Sequence, residues 1–457
     1  MTEARRVDVL VAEIGSTTTV VSAFEGLSDE SRDAGATPCI LGLGVAPTSV
    51  SAGDVTIGVL EARAQAERQI GPLEPREFLA TSSAAGGLRM TVHGLTARMT
   101  AMAAREAALG AGGVVEYQTA GKLRRHDLQA IEAARPSLIM LAGGVEGGDV
   151  ETILYNAEQL TQLSIRPIVI YGGNSAVCDE GCGILHRAGF RVHVTPNVYP
   201  AIDELDIVPA RTVIHDAFEE HIIHAPGMER IGELVTGAIL PTPGAVLVAA
   251  ERLAETLGDL VVIDVGGATT DVHSVTDGSI EIAAMQTEPQ PHSKRTVEGD
   301  LGTYVSAAHV EALIDERERP DHLPPAIPET QEDRRTAVQL ARIATVTGVY
   351  RHAGTLVHLY TPTGRQTVAR GRDLTACRWV VGTGGALTRL PGGVEALQAS
   401  CAKNGGERLL PPVDASCVLD NDYVFAVCGA LFSHFDAEPV VQLMLHSIGA
   451  EGAPPIG

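Results

Sequence analysis

The stretch that decides the fold is DLVVIDVGGATTDVHSV, residues 259–275. Two β-branched runs flank a Gly/Ala/Thr tip, the signature of a strand, a tight turn and a returning strand. Asp264 closes the apolar run, Gly266-Gly267-Ala268-Thr269-Thr270 form the tip, and Asp271 opens the return. A carboxylate inside an apolar strand is costly to bury, so a chemical role is expected of it. Glycines let the backbone approach phosphate oxygens, and threonine hydroxyls add donors. Mg2+ takes hard oxygen ligands, often carboxylates acting through water.

The same plan recurs near the N-terminus. VDVLVA (7–12) reads as a buried strand, Glu13 follows it, Gly15-Ser16-Thr17-Thr18 make a tip, and VVSAF (20–24) returns. Two such hairpins facing each other would clamp a triphosphate from both sides. Glu13 and Asp264 would then hold a hydrated Mg2+, with Asp271 orienting its waters or the attacking water. Ser16, Thr17, Thr18, Thr269 and Thr270 would donate to phosphate oxygens. A third element, RWVVGTGGALTRL (378–390), reads as strand, glycine turn and helix start. Its bare turn, Gly382-Thr383-Gly384-Gly385, lets a flat base and ribose lie against backbone, and the helix start adds a positive dipole end.

One glycine-rich tip is usually only a turn; three in this order are specific. Together they resemble the actin, Hsp70 and sugar-kinase superfamily, with its phosphate-1 hairpin, phosphate-2 hairpin and adenosine motif. The resemblance implies an α/β, two-lobed actin-like ATPase (ribonuclease H-like) fold that binds ATP and Mg2+. No GxxxxGK[ST] loop is present, so a P-loop ATPase is not supported. The expected division is a first lobe over 1–240 and a second over 241–457. Apolar runs at SLIMLAGG (137–144), PIVIYGGN (167–174) and RVHVTPNV (191–198) alternate with helical patterns. They predict a Rossmann-like parallel subdomain or insertion at about 125–200. Alanine-rich spacing predicts a helix over 86–113, and further helices are expected over 246–258 and 336–352. Residues 315–335, rich in Pro, Glu, Asp and Arg, read as an exposed connection.

Composition narrows the function classes. The 457 residues suffice for two or more domains. Formal net charge is -23, which opposes unspecific nucleic-acid binding and docking on an anionic membrane. Seven scattered cysteines fit a reducing, cytoplasmic setting, and the nearest pair, Cys178 and Cys182, reads as free thiols. No apolar run is long enough to span a membrane.

The resemblance extends beyond the superfamily motifs. IGSTTT (14–19), LAGGVEGGD (141–149), TPNVYPAIDELDI (195–207), GAILPTPGAV (237–246), RTVEGDLG (295–302) and VGTGGALTRLPGG (381–393) are similar to the glutamate mutase accessory family, called GlmL or MutL. That resemblance implies an ATP-dependent reactivating chaperone for an adenosylcobalamin-dependent amino-acid mutase. The mutase subunits would be its partners, and homodimer formation is compatible with the reading. A small-molecule kinase or a hydantoinase/oxoprolinase-type ATPase on the same fold is the alternative. The chain departs from the superfamily pattern at Glu13, where Asp is usual, at Val20, often Lys in related hairpins, and at Thr303-Tyr304 after the EGDLG segment. His215, His221 and His224 near Glu219 and Glu220 lack the HExxH spacing and read as a surface helix patch. Glu298-Gly299-Asp300 suits either Mg2+ or partner contact or a turn.

Overall fold

The computed structural model describes residues 4–84, 88–222, 225, 227–361, 364–402 and 406–452. The chain begins with β1 (Arg5–Ile14), β2 (Thr18–Glu25), β3 (Cys39–Pro47) and β4 (Leu73–Ser82). β1 pairs antiparallel with β2, β2 antiparallel with β3, and β1 parallel with β4. Residues 7–14 of β1 are all buried, as a central strand covered on both faces requires.

A second sheet is then inserted. β5 (Leu88–Gly94), β6 (Gly113–Ala120), β7 (Leu138–Leu141), β8 (Ile168–Tyr171) and β9 (Val192–Val194) run in the order β6-β5-β7-β8-β9. All are parallel, in the doubly wound 2-1-3-4-5 order. This α/β unit thus starts its sheet at Leu88, ahead of the expected 125. The helix expected over 86–113 is corrected accordingly: Leu88–Gly94 is strand and only Thr100–Gly110 is helix, while residue 86 lies outside the described residues. β10 (Ile239–Pro241) returns to the first sheet beside β4.

The second half repeats the first plan. β11 (Leu260–Val265), β12 (Thr270–Val275) and β13 (Ser293–Glu298) form an antiparallel meander. β14 (Thr355–Thr361) and β15 (Gly364–Arg370) make a separate hairpin. β16 (Trp379–Thr383) and β17 (Ser416–Leu419) then add in parallel on the other side of β11. The two sheets, β3-β2-β1-β4-β10 and β13-β12-β11-β16-β17, therefore share one 3-2-1-4-5 topology. This duplication is the two-lobed actin-like architecture that the paired hairpins predicted.

Two helices join the lobes. Thr242–Leu257 and Phe425–Leu431 cross so closely that a Cβ on Gly429 would lie 2.0 Å from the Ala245 carbonyl oxygen. Their apolar faces fill one core with Val9, Val11 and Leu79 of the first sheet and Val262 and Val381 of the second. The C-terminal helices thus pack against strands of both lobes. Among the described residues no helix is long and apolar enough to cross a membrane.

Candidate functional site

Both hairpin tips close in the same way. The Gly15 amide donates to the Thr18 carbonyl at 2.9 Å, and the Gly266 amide donates to the Thr269 carbonyl at 2.9 Å. Each closure leaves a two-residue tip, Ser16-Thr17 or Gly267-Ala268. The tips face one another: the position of a Cβ on Gly267 lies 3.7 Å from Thr17 Oγ1. Glu13 pairs with Val20 across the first hairpin, and Asp264 pairs with Asp271 across the second. The third motif joins them through β16, where Thr383 is the register partner of Asp264. Gly384, at φ 86°, carries its backbone so close that a Cβ would lie 2.5 Å from Asp264 Oδ1. Gly385 opens the short helix Gly385–Thr388.

Glu13 and Asp264 are the chemically unusual pair. Glu13 is 7% exposed, and burial followed by the nearby Asp264 charge pushes its carboxyl up to about 8. The Tyr423 hydroxyl donates to Glu13 Oε1 at 3.2 Å and partly offsets this rise. Asp264 is pushed up to about 7 by desolvation first, then by Asp271 and Asp420. Glu13 Oε2 is buried and has no hydrogen-bond partner among the described residues. An orphaned carboxylate oxygen beside a second acid fits a hydrated divalent cation, which would relieve both the desolvation and the repulsion. No three His, Cys, Asp or Glu side chains among the described residues are grouped as metal ligands. Mg2+ characteristically keeps water and phosphate oxygens among its ligands and needs only one or two carboxylates from a protein.

Other expected residues are placed differently. Asp271 does not present a spare oxygen to a metal: Arg295 Nε donates to its Oδ1 at 2.8 Å, and the Thr269 hydroxyl donates to its Oδ2 at 3.1 Å. The Thr270 hydroxyl is buried and donates to the Leu301 carbonyl at 2.6 Å, away from the tip. The Thr383 hydroxyl donates to Asp420 at 2.9 Å, and the Gly382 carbonyl accepts from the Asp420 amide. Ser16 is exposed at its tip, and Thr17, Thr18, Ala268 and Thr269 are partly exposed at theirs. The segment after the second acidic turn covers that tip from outside: the Tyr304 and Val305 amides both donate to the Gly267 carbonyl. Glu298 and Asp300 both pair with Arg351, a contact the sequence reading did not foresee.

Sequence reasoning missed Asp420, Tyr423, Arg389 and Arg295. Asp420 organises the far wall, accepting from the Val424 and Phe425 amides and from the Thr383 and Ser447 hydroxyls. Tyr423 adopts φ 57°, and the Arg389 guanidinium stacks 5.3 Å from its ring centroid. The available signal was the acid at the start of DNDYVFAVCGAL (420–431), just ahead of a fully apolar helix. The histidine patch is also corrected. His215 turns inward with a buried Nε2 and is held down to about 4 by burial, while His221 Nε2 lies 2.8 Å from Ser137 Oγ. His224 lies outside the described residues.

The family model described as MutL protein matches residues 9–448. "Protein MutL" of Clostridium tetanomorphum is 35% identical over 408 residues, covering 83% of this chain and 88% of the relative. Among solved structures, the nucleotide-free acetone carboxylase covers 93% of this chain and 70% of its own at 12% identity and a TM-score of 0.34. The ethanolamine utilization protein EutJ of Carboxydothermus hydrogenoformans covers 95% and 89% at 12% identity and a TM-score of 0.25.

Proposed function

The chain belongs to the MutL protein family, and from that premise we propose that it is an ATP- and Mg2+-dependent reactivating chaperone for an adenosylcobalamin-dependent amino-acid mutase such as glutamate mutase. The observation that carries the nucleotide part is the convergence of two identically closed hairpin tips and a glycine turn on one acid pair, Glu13 and Asp264. The mutase client and the chaperone role rest on the family resemblance.

In this reading the tips cradle the phosphates with backbone amides and with the hydroxyls of Ser16, Thr17, Thr18 and Thr269. Gly384 and Gly385 receive the nucleoside end. Glu13 and Asp264 would hold a hydrated cation, which when bound would supply charge neutralisation to the transferring phosphoryl group. Asp271 holds its strand through Arg295 rather than meeting the metal. Tyr423 holds Glu13 in place, and Asp420 holds the Thr383 turn. Catalysis is then positioning and electrostatics, with the lobes pivoting on the crossed helices.

The test is ATP turnover by the purified chain, alone and with a cobalamin-inactivated mutase from the same cell. The expected result is slow Mg2+-dependent hydrolysis that the inactivated mutase stimulates and that Asp264→Asn lowers about a hundredfold. Turnover that ignores every mutase but accelerates with a small hydroxy compound would replace this reading with a small-molecule kinase.

A further inference from the structure

The α/β unit meets the two lobes through interfaces of opposite chemistry. With the first lobe it shares one continuous apolar core, in which Leu10 and Ala80 of the first sheet join Met90, Met140 and Ile214. With the second lobe its contact is polar and centres on three consecutive residues of β13, with the Arg98–Glu288 and Arg211–Glu251 ion pairs beside them. Ser293 receives Arg211, whose Nη1 donates to its hydroxyl at 2.8 Å and whose Nη2 donates to its carbonyl at 2.7 Å. Lys294 Nζ donates to Glu106 Oε1 at 2.9 Å. Arg295, 1% exposed, donates from Nη1 to the carbonyls of Leu109 and Gly113 at 2.9 and 2.8 Å, at the end of helix Thr100–Gly110.

This seam is incompletely satisfied. Among the described residues, Glu106 Oε2 and Arg211 Nε are buried there without a hydrogen-bond partner, as are both ring nitrogens of the adjoining His273. Permanent interfaces are apolar and well packed; a buried polar contact with orphaned groups gains hydration whenever it parts. Arg295 also reaches the hairpin tip. Its Nε donates to Asp271, and Asp271 in turn accepts from Thr269, a tip hydroxyl.

We propose that Ser293-Lys294-Arg295 is a releasable latch between the second lobe and the α/β unit, closed by a bound nucleoside triphosphate and loosened by the diphosphate. The proposal rests on the nucleotide reading of the hairpins. A γ-phosphate at the tip draws the Thr269 hydroxyl away from Asp271. Asp271 then has Arg295 as its main partner, and the tightened pair holds the guanidinium against the Leu109 and Gly113 carbonyls. Loss of the γ-phosphate returns Thr269 to Asp271, the arrangement in this structure, so that Arg295 shares the carboxylate and the seam parts more readily about the crossed helices.

Hydrogen–deuterium exchange on the full chain tests this, with Mg2+ and either a non-hydrolysable ATP analogue or ADP. In the wild type the analogue should slow exchange across 100–120 at least fivefold relative to ADP, together with protection at both hairpins. Arg295→Lys cannot serve the carboxylate and both carbonyls at once. It should still bind the analogue and show hairpin protection, yet show less than twofold slowing across 100–120. The double variant Lys294→Met/Glu106→Gln removes the neighbouring pair without leaving a lone buried charge, and should show the same loss if Arg295→Lys does not fold. Protected hairpins with an unchanged 100–120 segment in the wild type would overturn the latch and leave the nucleotide reading standing, as would variants that keep full protection there. Absence of nucleotide binding would overturn both.

Discussion

At the scale of single residues, the acid pair dictates a pH response. Glu13 and Asp264 titrate near 8 and 7 in the folded chain, against ordinary values of 4.5 and 3.8. The folded state therefore binds more protons than the unfolded state across that interval, and nucleotide-free stability should fall as pH rises toward 8. Thermal unfolding from pH 6 to 8 should show this decline, and Glu13→Gln should flatten it. Cation binding requires the carboxylates to ionise, so MgATP affinity should run the other way and strengthen over the same range. Asp264→Asn relieves repulsion, so it should leave the melting temperature unchanged or higher while lowering hydrolysis about a hundredfold. Gly384→Ala meets both a positive φ and Asp264 at 2.5 Å, and should cost about 1–3 kcal/mol with loss of nucleotide affinity. Asp264 was legible in the sequence because an acid interrupts an apolar strand there. Tyr423 and Arg295 were not, because they owe their importance to partners far along the chain, Glu13 and Leu109.

At the scale of elements, the hairpins were readable because strand period and tip chemistry are both local. The same local logic failed over 86–113. The alanines of Thr100–Gly110 suggested one long helix, but the preceding Leu88–Gly94 is a central strand of a parallel sheet, and its partners β6 and β7 are distant in sequence. Buried His93, held between Thr91 and Thr119 hydroxyls, further disguises that strand as polar. The crossed helices were equally hidden, since a glycine within an apolar helix shows no sequence trace of what approaches it. Gly429→Val would drive a side chain into the Ala245 carbonyl. It should destabilise the chain by about 1–3 kcal/mol and weaken nucleotide-driven motion, read from denaturant unfolding and from exchange rates at the hairpins.

At the scale of the whole molecule, the duplicated 3-2-1-4-5 sheets put one hairpin on each side of a shared cleft, with the crossed apolar helices packed between the lobes and a polar seam beside them. A ligand held from both sides stabilises the assembled lobes. At a hundred times its dissociation constant, MgATP should add about 2.7 kcal/mol and raise the melting temperature. The two-lobed plan followed from the repeated hairpin; the placement of the α/β unit against the second lobe did not, because the charges that form that seam are spread from Glu106 to Arg295. The central claim is that ATP handled in this cleft restores a damaged mutase. Its most direct measurement is recovery of activity by a cobalamin-inactivated mutase from the same cell, mixed with this chain, MgATP and fresh adenosylcobalamin. The account predicts recovery that fails without ATP, without Mg2+ or with Asp264→Asn in place of the wild type. Full recovery with the Asp264→Asn chain, or none with any mutase of the cell while MgATP is bound, would contradict it.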